Sequence, residues 1–426
     1  MRILIAGIDG YLGWPLALHL AARGHDVAGI DSFQRRAWVA ETGSQSATPI
    51  RSMNERLAAF EDRFGRRLKF YDGNLCDYDT VVRMLCEFEP DTVVHLGEMP
   101  SAPYSMVDVH HAVFTHTNNL TGTLHLLYGL RDYCPQAHLV KLGTMGEYGT
   151  PNIDIPEGFF EVEFRGRKER LPFPCQPPSM YHLTKVHDSA NIRFACRVWG
   201  LKSTDIMQGV VFGTRVDAMG QGPDWDQRLC TRFDFDQSFG TAINRFCAQA
   251  LIGMPLTPYG KGGQKRGFLA LRDSIQCFTL AIENPPQTEG AYRVFNQFAD
   301  TYTISDLAET VARVGRQMGL APTIQHLENP RREAEEHYYN PDNAGLLALG
   351  YKPTHDIATE IALTLADLAP HAERIRFARD AVQPDIRWDG TRRASRSVAQ
   401  ADRPKVPRRP ASVGALALRP VLNEKP

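Results

Sequence analysis

The chain has 426 residues, 43% of them hydrophobic, and a formal net charge of −1; this length suits two domains or one large α/β domain with additions around an ordinary globular core. Nine Lys/Arg against three Asp/Glu from Trp388 to Pro426 give that stretch +6 and leave the body near −7, which argues against a nucleic-acid surface and requires anionic ligands to be held by local basic groups. No apolar run nears the roughly 18 residues of a bilayer span, no secretory signal is legible, and the eight cysteines lie without a C-x-x-C pair, so a cytoplasmic protein with reduced thiols and no metal site is expected.

Met1–Ala6 reads as a strand, and Gly7-Ile-Asp9-Gly10-Tyr11-Leu12-Gly13 follows with G-x-x-G-x-x-G spacing. Such glycines allow a tight turn, close approach of a pyrophosphate and packing of the next helix, whose opening N–H groups face the phosphates. His25–Ile30 is the second strand, and Asp31 at its end can accept hydrogen bonds from an adenosine ribose diol while repelling a 2′-phosphate. NAD is favoured over NADP, although Arg35 and Arg36 stand close by. Residues 32–67 are read as a loop and a helix over the adenine side. A short strand (68–71), a polar turn (72–77) that carries Asn74 and Leu75, and a helix (78–87) come next. Asp91–Leu96 is an apolar central strand, ending in the irregular run Gly97-Glu98-Met99-Pro100-Ser101-Ala102-Pro103, at the sheet edge where open α/β folds bind ligands.

A long helix over 107–130 carries Asn118 and Asn119, and a strand at 138–142 leads into Gly143-Thr144-Met145-Gly146-Glu147. Residues 151–178, rich in proline, charge and aromatics, read as an insertion covering the site. A helix opens at Ser179-Met-Tyr181-His182-Leu-Thr-Lys185 and runs to Val198; a strand at 202–207 ends in Gln208-Gly-Val-Val211-Phe-Gly213. Beyond, 214–240 is loop, 241–252 a helix, 272 onward a helix, 292–297 a strand, 305–318 and 357–368 helices. The run Gly260–Gly267 lacks the spacing of a phosphate-binding P-loop, and 329–340 is a charged loop. The expected architecture is a Rossmann-type doubly wound parallel sheet over 1–213, with the insertion, followed by a smaller α/β substrate domain over 214–375. From Trp388 the composition favours a disordered basic tail, and removing Trp388–Pro426 is expected to leave turnover intact.

Tyr181 and Lys185 are four apart on a helix and share a face. An ammonium beside a phenol favours the phenolate, which can take a hydroxyl proton while a nicotinamide takes the hydride, and Thr144 can donate to the same substrate oxygen. Gly7, Gly10, Gly13, Asp31, Thr144 and Tyr181-x-x-x-Lys185 together resemble the extended short-chain dehydrogenase/reductases that modify nucleotide sugars. The runs GIDGYLGWPLALHL, SAPYSM, LVKLGTMGEYGTPNIDI, YHLTKVHDS, QGVVFG, GTAINRFCAQA, YGKGGQKRG, RVFNQF and EAEEHYYN resemble the UDP-sulfoquinovose synthase group of that family over residues 2 to about 375.

The resemblance implies a tightly held NAD that oxidises C4 of UDP-glucose, elimination of water across C5 and C6, addition of sulfite at C6, and return of the hydride, in a homodimer built through the long helices. It makes Tyr181 the C4 base, Lys185 its partner and a nicotinamide-ribose ligand, and Thr144 the second donor at O4, with Met145, Glu147 and His182 at the elimination and addition site. It places Asp9, Tyr11, Leu12, Ser32, Arg35, Asn74, Leu75, Leu96, Gly97, Asn118, Gln208 and Val211 at the cofactor, and Gln208, Asn244, Tyr259, Arg266 and Arg331 at the substrate, the arginines on the diphosphate. The chain departs from the group where Met99-Pro100 replaces Gln-Arg. The alternatives are a diverged 4-epimerase or 5,6-dehydratase without a sulfite step, and a non-catalytic NAD-binding protein.

Overall fold

The computed structural model describes residues 1–220, 225–331, 333–334 and 336–388. The expected tail beyond Trp388 lies outside the described residues. The first half of the chain alternates strand and helix: β1 Arg2–Ala6, α1 Gly13–Ala22, β2 Asp26–Asp31, α2 Gln34–Glu41, α3 Met53–Phe64, β3 Lys69–Asp72, α4 Tyr78–Phe88, β4 Thr92–His95, α5 Ala102–Ser105, α6 Val109–Tyr133 and β5 His138–Thr144. The hairpin β6 Phe159–Phe164 and β7 Arg167–Pro172 follows, then α7 Met180–Trp199, β8 Lys202–Gln208, β9 Val210–Phe212, α8 Ala242–Ile252, β10 Lys265–Ala270, α9 Leu271–Glu283, β11 Tyr292–Gln297, β12 Asp300–Thr303, α10 Ile304–Gln317, α11 Ala344–Ala348, α12 Ile357–Leu368 and α13 Ala372–Phe377.

Seven strands form one sheet in the order β11-β8-β5-β4-β1-β2-β3, and every pairing in it is parallel. This is the doubly wound order with its switch point between β1 and β4, where ligands bind outside the carboxyl ends of the strands. The strand period of two splits β1 between the layers: Ile3 and Ile5 join the cluster of α1, α3 and α9, while Leu4 and Ala6 join that of α4, α6 and α7. Burial on both faces explains why these strands read as continuous apolar runs.

The region read as one helix over 32–67 holds two. Ser52 and Glu55 start the second with reciprocal capping bonds, so the capping box fixes where α3 begins. The large sheet also takes its outer strand β11 from beyond residue 213, because β11 pairs along β8 from Tyr292↔Ser203 to Gln297↔Gln208. A second sheet, β12-β10-β9, packs with α8, α10 and α12 around Phe212, Phe246, Phe268, Leu307 and Leu365. Among the described residues no helix is long and apolar enough to cross a membrane, and no cluster of metal-ligand type occurs.

Candidate active site

One cavity of about 700 Å³ runs from the glycine turn, past the ends of β4, β5 and β8, to the second sheet. Its dinucleotide end is built by backbone. Gly7 has φ +87°, and a Cβ there would come within 2.7 Å of the Leu96 carbonyl carbon; one on Gly13 would come within 2.2 Å of the Gly7 oxygen. The turn, the β4 end and the start of α1 therefore touch as bare backbone, leaving the cradle that a pyrophosphate needs. Gly10, Tyr11, Leu12, Asp31, Ser32, Asn74, Leu75, Leu96, Gly97, Asn118 and Val211 line the same cavity.

The Asp31 carboxylate is oriented by backbone, accepting from Phe33 N–H and Asp9 N–H, both at 2.8 Å. Burial and the nearby Asp9 charge raise its pKa to about 6, against the lowering effect of those two N–H bonds. The arginines that cloud the choice of dinucleotide are both occupied. Arg36 forms a two-toothed pair with Asp9 at 2.7 and 2.8 Å, and Arg35 reaches Asp234 at 2.7 Å while stacking 4.0 Å from the Phe239 ring. Asp9 itself turns away from the cavity: its side chain, 1% exposed, holds Arg36 and Arg56, so only its backbone serves the ribose end, through Asp31.

At the reaction end, Thr144 and Gln208 are register partners at the carboxyl ends of β5 and β8. The Thr144 hydroxyl accepts from Gly146 N–H at 3.1 Å and Gln208 donates to Ser274 at 3.1 Å. Tyr181 and His182 open α7 behind an N-cap, Ser179, whose hydroxyl accepts from His182 N–H and meets His182 Nδ1 at 2.7 Å. The imidazole lies on Gly146, where an added Cβ would come within 2.3 Å of Nε2; His182 thus fills the space that a side chain at 146 would require. Burial, followed by Arg331, Arg266 and Lys185, lowers the His182 pKa to about 3. The ring is neutral at physiological pH and can accept or donate one proton. Met145 lines the cavity beside it.

Two expectations about this end need correction. The Tyr181 pKa is raised rather than lowered: burial raises it, and Glu98 and Glu147 raise it further against Lys141 and Arg35. The Lys185 ammonium, 2% exposed, is tied to Glu98 at 2.7 Å and to the Leu142 carbonyl at 2.6 Å. Glu147 does not reach the cavity. It is fully buried and accepts from Thr144 N–H, Lys141 Nζ and Ser189 Oγ, so it caps the turn and balances Lys141.

At the far end, Tyr259, Arg266 and Arg331 line the cavity and Asn244 does not. The Asn244 side chain accepts from Gly213 N–H at 3.2 Å, tying α8 to the end of β9. Its neighbour Arg245 takes the cavity position, donating to Tyr259 Oη at 2.7 Å and lying 4.4 Å from that ring. Sequence spacing could have found it, since adjacent helix residues face about 100° apart. Arg266 is held by Glu333 and His337, each at 2.6 Å. Arg331 lies 4.8 Å over the ring of Trp388, itself a cavity residue, so the last described residue reaches the site.

Met99 and Pro100 diverge. Met99 is fully buried among Tyr104 and Tyr181, with its N–H bonded to Asn119 at 2.8 Å, whereas Pro100 faces the cavity.

The sequence profile of the NAD dependent epimerase/dehydratase family matches residues 3–296. The chain is 45% identical over 388 residues to the chloroplastic UDP-sulfoquinovose synthase of Spinacia oleracea, covering 91% of this chain and 79% of that one. It is 45% identical over 389 residues to the UDP-sulfoquinovose synthase of Sulfolobus acidocaldarius, covering 91% and 98%. Among solved structures, UDP-glucuronic acid 4-epimerase from Bacillus cereus, in complex with UDP-glucuronic acid and NAD, superposes with a TM-score of 0.64 at 20% identity, covering 87% of this chain and 99% of that one.

Proposed function

The chain belongs to the NAD dependent epimerase/dehydratase family, and from that membership we propose that it converts UDP-glucose and sulfite to UDP-sulfoquinovose through a 4-keto sugar. The observation that carries the reading is identity of 45% to two such synthases over 91% of the chain, joined to a continuous cavity that holds Asp31 at one end and Arg266 and Arg331 at the other. NAD fits the first end: backbone contacts at Gly7 and Gly13 leave the cradle free of side chains, and Asp31 meets the ribose. When bound, the dinucleotide supplies a hydride acceptor and later returns the hydride.

The residues of the chain do the rest. Tyr181 takes the proton from the C4 hydroxyl while Thr144 donates to that oxygen. The 4-keto group acidifies C5–H, and neutral His182 is the proton carrier for elimination and addition at C5 and C6. Arg266 and Arg331 hold the diphosphate, and Tyr259 packs toward the base.

A 4-epimerase or 5,6-dehydratase without a sulfite step is the second reading, favoured by Pro100, an apolar residue at the cavity beside the strand end. Non-catalytic NAD binding is disfavoured by Thr144 and Tyr181 standing together at the cavity. The enzyme works as a homodimer in the cytoplasm: α6 and α7 pack together and expose Val109, Val113, Tyr128, Phe194 and Val198, an apolar stripe that a second copy would cover. Static light scattering checks the dimer, which Val113→Arg is expected to dissociate. The substrate-binding unit takes in most of 214–375, with β11 given over to the large sheet. Purified protein tested for sulfite-dependent formation of a sulfonated nucleotide sugar decides between the two enzymatic readings.

A further inference from the structure

Lys185 is the residue whose charge should make Tyr181 a base, yet a second charge stands between it and that task. The Glu98 carboxylate lies 2.7 Å from Lys185 Nζ, and both side chains are 2% exposed. Glu98 sits at the β4 end, in the wall of the cavity. Its other close polar neighbour is His95 Nε2 at 3.4 Å, and burial lowers the His95 pKa to about 4, so that ring is neutral and brings no cation. His95 is itself engaged by Thr123 of α6 at 3.0 Å.

The remaining charges around the pair are spoken for. Lys141 on β5 is held by Glu147 and Asp205, each at 3.2 Å, and Arg35 on α2 by Asp234 at 2.7 Å. Asp188, one turn beyond Lys185 on α7, is fully buried, and burial followed by the Glu98 charge raises its pKa well above the usual range. Among the described residues, Lys185 is thus the cation in contact with Glu98. A buried carboxylate without a partner is costly, so the two fix each other in place.

We infer that Glu98 is a positioning residue that clamps the Lys185 ammonium at the cavity wall, cancels its charge, and so sets the pH at which Tyr181 becomes a base. The inference rests on the role proposed above for Tyr181. The sign follows directly: an anion near a phenol disfavours the phenolate, so neutralising Glu98 both removes that anion and frees the Lys185 charge to act on Tyr181. Ionisation then moves to lower pH.

The test uses the NAD-loaded protein without sugar. The near-ultraviolet phenolate absorbance of Tyr181, taken as the difference from a Tyr181→Phe variant, is titrated with pH in the presence of Glu98 and of Glu98→Gln. The expected result is a midpoint lower by about one pH unit in the glutamine variant, a tenfold change in the phenolate-to-phenol ratio. An unchanged or higher midpoint would overturn the inference. Should Glu98→Gln not fold, Glu98→Asp, which draws the carboxylate back by one methylene, carries the test with a smaller fall expected and the same refutation. A separate addition of UDP-glucose, read as NADH absorbance, judges the proposed reaction itself; failure there with a shifted titration would condemn the substrate assignment and leave the role of Glu98 standing.

Discussion

Trp388 gives a sharp test of where the functional chain ends. Three contacts bring the last described residues onto the rim of the cavity: Asp385 and Gln237 exchange two hydrogen bonds at 2.5 and 2.8 Å, Arg387 pairs with Glu328 at 2.6 Å, and Trp388 N–H reaches the Pro330 carbonyl at 3.0 Å. The Trp388 ring then lies under Arg331 at 4.8 Å. A partly desolvated cation–π contact is worth about 1 kcal/mol, so Trp388→Ala should weaken the hold of Arg331 on the diphosphate by about fivefold. Cutting the chain after Val382 also removes the three rim contacts, each worth about 0.5 kcal/mol at such exposure, for a total of about 2.5 kcal/mol, or roughly seventyfold. Cutting after Trp388 removes none of these. Steady-state kinetics with UDP-glucose should show KM unchanged for the cut after Trp388, raised for Trp388→Ala and raised most for the cut after Val382, with kcat little changed and Trp388→Phe close to wild type. Equal KM for the two truncations would refute the reasoning.

Four further outcomes are expected. Tyr181→Phe should lower turnover by about 10²–10⁴, the usual range for a lost general base, while NAD still co-purifies; unchanged turnover would remove Tyr181 from the chemistry. Gly7→Ala places a Cβ 2.7 Å from the Leu96 carbonyl carbon at φ +87°, so NAD affinity by calorimetry should collapse, and retained affinity would contradict the backbone cradle. Lys141→Ala leaves Glu147 and Asp205 buried and unpaired, at a cost of about 3–5 kcal/mol, and the denaturant midpoint should fall accordingly; a loss below about 1 kcal/mol would mean the cluster relaxes. Asp31 ionises at about 6, and the ribose diol needs the carboxylate, so NAD affinity should be full above that pH and fall as pH drops through it. Asp31→Asn should bind weakly at every pH, with that dependence gone.

What could be read from the sequence is what local spacing encodes. A strand, three glycines and an acid lie within 31 residues, and the turn they dictate is the one found. Tyr181 and Lys185 share a face of α7 for the same reason. Long-range pairing was not legible. Glu98 lies 87 residues before Lys185, and no spacing rule tells that its carboxylate takes the ammonium meant for the phenol. Glu147 resembles a catalytic acid because it follows Thr144, but three residues is also the spacing of a capping box, and the buried cation of Lys141 draws the side chain inward. Asn244 and Arg245 differ by one position on α8, which reverses which of them sees the cavity. Trp388 opens a stretch whose composition reads as disorder, yet its ring has a guanidinium to cover. The seventh strand of the sheet follows α9, after the chain has visited the second sheet, and parallel neighbours need not be neighbours in sequence.

On the function proposed above, this cavity oxidises C4 of UDP-glucose and then adds sulfite at C6. Mass spectrometry of the NAD-loaded protein incubated with UDP-glucose, with and without sulfite, tests it most directly. The expected result is a sulfite-dependent product with the mass of a UDP-sulfonate, formed despite Pro100 at the cavity wall. UDP-glucose that is only epimerised or dehydrated, or left untouched, with sulfite present and NAD bound would contradict it.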